Sequence, residues 1–232
     1  MTAITRPTSK SARAATSTSR NYGGEGLEQR KLRRRAQFIE AGKALFGSVG
    51  YRKTTMRLLC KEAELTDRYF YESFETTEDL LVAVYEQLIG ELLAELLKAI
   101  SELEPERDVD RLIGQGLDAF FRFAQDPVAS RIVWLEILGI SPRVDALYNG
   151  TLRRFADILL GLTRTAIPSW DISDDVAGAV AMGMIGAVSE LAKDWLMAGY
   201  AQPRPVLVEG ASMIFRGMAG VSATKGKTFK RN

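Results

Sequence analysis

Residues 54–74 read TTMRLLCKEAELTDRYFYESF, and two short helical patterns meet inside this stretch at Glu64-Leu65. Met56, Leu59, Cys60 and Ala63 recur at spacings of three and four, which puts them on one side of a helix over about residues 55–62. Leu65, Phe70 and Phe74 do the same for a second helix over about 66–73, which Thr66 caps through its hydroxyl. Thr66, Asp67, Arg68, Tyr69 and Tyr71 are then left pointing outward. A short helix with a buried back and a front of aromatic and arginine side chains suits insertion into a DNA major groove. Phe70 and Phe74 belong to the core and read no bases. The pattern predicts a DNA-binding helix-turn-helix.

The residues before it extend the pattern. Arg35 to Phe46 is amphipathic, with Phe38, Ile39, Gly42, Leu45 and Phe46 inward, and Gly47-Ser48-Val49-Gly50-Tyr51 breaks it. An arginine-led first helix, Leu45-Phe46, Gly50-Tyr51, Thr54-Thr55, the turn from Ala63 to Thr66, Phe70-Tyr71, Phe74 and Leu80-Leu81 follow in order over roughly residues 30–81. This set resembles the tetracycline-repressor (TetR) family of bacterial transcription regulators. The resemblance implies that Tyr71 and Thr55 bond phosphates, while residues near Thr66 to Tyr69 reach base edges or the adjoining backbone. Arg68 is the best candidate for guanine on chemical grounds, because one guanidinium can bond O6 and N7 together. Asp67 and Glu72 fit better as supports for a neighbouring arginine or the helix N-terminus. Glu64 departs from the family pattern, in which this turn usually holds glycine.

Charge divides the chain. Residues 1–75 carry 15 Lys/Arg against 8 Asp/Glu, and residues 76–232 carry 16 against 21. A basic N-terminal third beside the helix-turn-helix suits one part facing DNA and one facing away. Arg33, Arg34 and Arg35 cluster at the start of helix 1 as candidate phosphate contacts. The single cysteine, Cys60, excludes an internal disulfide framework and fits a reducing cytoplasm. Val176 to Ser189, the longest charge-free run, is about 14 residues and short of the 18 or so that span a bilayer. No membrane partner is expected.

The expected fold is all-α: an N-terminal three-helix helix-turn-helix domain joined by a long helix to an α-helical body. Residues 1–26 read as a disordered basic leader, 27–75 as the DNA-binding domain, 76–221 as an effector-binding and dimerisation domain, and 222–232 as a basic tail. Thr76 or Thr77 caps the long helix, which runs to about Glu102. Five more helices follow: Asp108 to Gln125, Asp126 through Leu138, one opened by Ser141-Pro142, one from Ser173 to near Gly199, and a last one after Pro205.

Ala179, Gly183, Gly186 and Ala187 lie close together on one of these helices. Glycine inside a helix costs about 1 kcal/mol relative to alanine, so several need a reason, and close approach of another helix supplies one. The family resemblance makes that partner a second copy of the chain, meeting it through this helix and through Ile214, Phe215 and Met218 of the last one. It also implies an effector pocket among the long helices. Phe120, Phe121, Trp134, Phe155 and Met182 are candidate walls, with Gln115 and Glu136 as polar anchors, which suits a hydrophobic or aromatic ligand. The expected partners are therefore a double-stranded, palindromic operator, a small-molecule effector and a second subunit.

Catalysis finds little footing. The chain has no histidine, Cys60 has no evident activating partner, and neither a phosphate loop nor a metal-ligand spacing occurs. No enzyme activity, cofactor or metal is expected. The alternative is a helical ligand-binding protein with a degenerate DNA-binding head.

Overall fold

The computed structural model describes residues 26–170 and 172–221, with side chains described as far as Gly217. The leader and the basic tail read from the sequence lie outside the described residues, apart from Gly26. Helix α1 (Leu27–Ser48) leads through a 3-10 turn (Tyr51–Lys53) into α2 (Met56–Glu62) and α3 (Asp67–Tyr71). The long α4 (Thr77–Ile100) then enters a body of α5 (Val109–Ala124), α6 (Pro127–Arg131), α7 (Pro142–Ala166), α8 (Asp174–Met197) and α9 (Arg204–Val221). Among the described residues there is no strand.

Local chemistry sets the starts. At α4 the Thr76 hydroxyl accepts from Asp79 N–H while the Asp79 carboxylate accepts from Thr76 N–H, a reciprocal capping box. Asp126 accepts from Val128 and Ala129 N–H ahead of a first-turn proline in α6, and Ser141 does the same for Val144 in α7. The helix after Asp126 does not run as an α-helix to Leu138. It widens at Ile132–Glu136 into one π-helical turn, which adds about a residue per turn and changes the direction of every later side chain.

The core starts in the head and continues without a break. Phe38 of α1 meets the edge of Phe70 at 5.2 Å, and Phe70 packs on Phe74 at 5.5 Å. Leu80, Leu81, Val84 and Leu88 carry the same core along α4 into the body. Two glycines let helices close in. A methyl on Gly42 would come within 3.0 Å of Val84, and one on Gly47 would lie 2.4 Å from the Val128 side chain and 2.9 Å from its Cα.

Helix α8 is long and apolar enough, by length and composition alone, to cross a membrane. Here it packs against α7, α6 and α9. Met184, Val188, Ala192 and Trp195 are buried, while Ala179, Gly183 and Gly186 are exposed.

Candidate nucleic-acid interface and effector cavity

The turn between α2 and α3 closes by two backbone bonds, Leu65 N–H to Cys60 C=O at 3.0 Å and Glu64 N–H to Lys61 C=O at 3.3 Å. Such a closure needs a left-handed residue after the helix cap, and Glu64 takes it with φ 53°. A side chain there costs roughly 1–2 kcal/mol, partly offset because glycine is more costly to order. Glu64→Gly is therefore expected to stabilise the fold by up to about 1 kcal/mol in thermal or urea unfolding; destabilisation would mean that the Glu64 side chain makes a compensating contact.

Thr66 sits at the α3 start in extended geometry, but its hydroxyl makes no cap bond. Asp67 instead accepts from Arg68 N–H at 2.9 Å, so the expected Thr66 cap is not formed and that hydroxyl is left for another partner. Thr55 does cap, accepting from Leu58 N–H at 3.3 Å; its own O–H proton stays available to donate. Arg68 projects with 85% of its side chain exposed, and Tyr71 is 62% exposed with its ring against the edge of Phe70.

Three outward assignments change. Arg34 donates to Glu72 at 2.9 Å and stacks 4.3 Å from the centre of the Tyr69 ring, with only 15% of its side chain exposed. Arg35 lies 4.6 Å over Phe74. These two arginines brace the recognition helix from behind, and Tyr69 is half-buried under Arg34 rather than free. Arg33 remains exposed on the outer side of α1. Sequence reasoning passed over Arg57 and Lys61, exposed on α2 beside the recognition helix; their positive charge was the signal that could have found them. Cys60 fills the packing place expected of it, and burial, then Asp67, pushes its thiol pKa up, so it stays protonated.

In the body a cavity of about 170 Å³ lies between α4, α5, α7, α8 and the π-turn. Phe120, Trp134 and Phe155 line it as expected from sequence. Other candidates do not. Gln115 is exposed. Phe121 is fully buried, packed edge-on against Phe120 and Trp195. Met182 is half-buried away from the wall. Glu136 turns to the head, accepting from Tyr51 N–H at 2.8 Å and from Arg131 at 2.9 Å. Arg131 also donates to Ser48 C=O, and Arg52 to Gly139 C=O at 2.7 Å. The polar groups on the cavity wall are hydroxyls that sequence reasoning missed, those of Tyr85, Tyr148, Thr151 and Ser189.

The residues expected at a dimer face also divide. Gly178, Gly183 and Gly186 have open space where a Cβ would stand, so among the described residues no helix of the same chain packs closely on them. Ala179 and Ile214 are exposed and Ala187 half-buried. Phe215 differs: it is buried and forms part of the cavity wall. The Met218 side chain lies outside the described residues.

Residues 38–84 match the family model for bacterial regulatory proteins of the tetR family. A Bacillus subtilis (strain 168) protein named fatty acid metabolism regulator protein is 23% identical over 162 residues, 69% of this chain and 82% of that protein. Among solved structures, a TetR-like transcriptional regulator from a Rhodococcus species superposes with TM-score 0.63 at 16% identity, covering 81% of this chain and 96% of the other. The Bacillus subtilis transcriptional regulator FadR in complex with stearoyl-CoA gives 0.64 at 20%, covering 77% and 96%.

Proposed function

We infer that this chain, which belongs to the TetR family of bacterial regulatory proteins, is a DNA-binding transcription regulator released from a palindromic operator by an apolar small molecule. The observation that carries the reading is the front of α3. Arg68, Tyr71 and the uncommitted Thr66 hydroxyl project from a helix whose back is the Phe38–Phe70–Phe74 core. Arg34 neutralises Glu72, which would otherwise set an acid against DNA. A degenerate head would not keep this support, so the alternative of a ligand-binding protein without DNA binding is set aside. Thr55, Arg57, Lys61 and Arg33 flank the helix as phosphate contacts.

The release mechanism runs through the π-turn. Val133 and Trp134 line the cavity, and Glu136, two residues on, holds the Tyr51 N–H at the foot of the head. A ligand that displaces Trp134 thus shifts the clamp that sets the head's angle. A coupling of about 1–3 kcal/mol would change operator affinity roughly 5–150-fold. An acyl chain suits the cavity, and the stearoyl-CoA complex of the similar regulator supports that class. Two copies meet through the open small-residue face of α8, since one five-residue helix reads too few bases. The regulator works in the bacterial cytoplasm, without catalysis. The DNA-facing part ends and the effector-binding part begins near residue 76, where α4 is capped.

Two variants test the reading. Arg68→Ala should weaken operator binding by about 1–3 kcal/mol and relax preference at one base position per half-site. Tyr71→Ala should weaken binding to all sequences more evenly. Unchanged affinity in both, by fluorescence anisotropy, contradicts the assignment of α3 as the reading helix.

A further inference from the structure

The cavity has two chemically different ends, and the difference specifies its ligand. At one end, Leu93, Leu96 and Ile100, roughly two to four turns along α4 from Tyr85, and Leu162, about three turns along α7 from Thr151, line the cavity with hydrocarbon only. At the other, four hydroxyls come from three helices: Tyr85 of α4 stands near Tyr148 and Thr151 of α7, and Tyr148 stands near Glu190, the neighbour of Ser189 on α8. Thr151 donates to Leu147 C=O at 3.0 Å and lies beside the Tyr85 hydroxyl. The Tyr148 and Ser189 hydroxyls make no hydrogen bond to the described residues, so each retains a donor.

Among the described residues, no Lys, Arg, Asp or Glu lines the cavity. The nearest charges on α8, Glu190 and Lys193, pair with each other at 2.6 Å and act on Tyr148 with opposite signs. A carboxylate carried inside would meet hydroxyl dipoles but no unmatched cation, and burying an unpaired charge is expensive. A carbonyl oxygen can take the two free donors at no such cost. Burial pushes the Tyr85 pKa up to about 12 and raises that of Tyr148, so both stay neutral in the working pH range.

We propose that the hydroxyl end of this cavity is a polar subsite for one neutral carbonyl oxygen, with Tyr148 and Ser189 as donors, and that the effector is an esterified or thioesterified acyl chain rather than a free fatty acid. The proposal rests on the reading of this cavity as the effector site and adds the chemistry of the ligand's polar group.

Binding is measured by tryptophan fluorescence, Trp134 being on the wall, with three probes at pH 7.5: methyl decanoate, sodium decanoate and decane. The full-length protein should bind methyl decanoate at least about 10-fold more tightly than decanoate. Tyr148→Phe and Ser189→Ala should each weaken methyl decanoate binding by roughly 3- to 10-fold while leaving decane unchanged, which also reports an intact cavity. Decanoate binding as tightly as the ester overturns the subsite, and so does an ester-to-decane ratio unchanged in the double variant. Failure of all three probes to bind overturns the effector cavity itself, whereas binding of decane alone removes only the subsite.

Discussion

Gly183→Leu is expected to leave each subunit folded while abolishing its pairing. Among the described residues a Cβ at position 183 meets nothing within 4 Å, and exchanging glycine for leucine within a helix favours the helix by up to about 1 kcal/mol. Across a two-fold contact the same side chain enters the space that the small face of α8 keeps for a neighbouring backbone. Overpacking costs about 1–3 kcal/mol at each site, and the symmetry applies it twice. Operator affinity should fall by at least about 30-fold, because a monomer contacts one half-site. Thermal stability and dimerisation thus move in opposite directions, which a general folding defect could not produce. Light scattering at micromolar concentration reads the outcome: a fully dimeric, fully binding variant would remove this face from the interface.

The second large effect belongs to the joint between head and body. Gly47 of α1 packs on Val128 of α6 so closely that even a methyl would stand 2.9 Å from the Val128 Cα. A side chain can rotate away, but a backbone atom cannot. Helix α6 is itself held, by the Asp126 cap and by Ser130 donating to Ala124 C=O. Gly47→Leu must therefore lever α1 off α6, at about 3 kcal/mol or more, lowering the melting temperature by at least roughly 6 °C for a chain of this size. The clamp from Glu136 to Tyr51 lies one turn away and should loosen with it. A variant that melts like the wild type would show that the two helices do not bear on each other.

The helix-turn-helix was legible in the sequence because its signals are local. Apolar residues three and four apart place Phe70 and Phe74 inward, and the caps at Thr76, Asp126 and Ser141 lie within three residues of the N–H groups they serve. The roles of Arg34 and Arg35 were not legible, since their stacking on Tyr69 and Phe74 joins helices more than thirty residues apart. Glu136 was misassigned for a different reason. Nothing in the local sequence marks the π-turn at Ile132–Glu136, and Glu136 at its end bonds the head. Phe215 and Ile214 differ by a single step of about 100° around α9. Periodicity marks both as apolar, but only packing shows that one faces the cavity and the other solvent. The hydroxyls of the cavity were invisible because Tyr and Thr at helical spacing read as ordinary core.

The most direct measurement is selection of DNA duplexes from a random pool by the full-length protein at physiological salt, run in parallel with the Arg68→Ala, Tyr71→Ala double variant. The wild type should enrich a palindrome with two half-sites separated by about one helical turn or a multiple of it. The double variant should enrich none. No sequence preference by the wild type, or the same palindrome recovered by both proteins, would contradict the assignment of this chain as a regulator that reads DNA through α3.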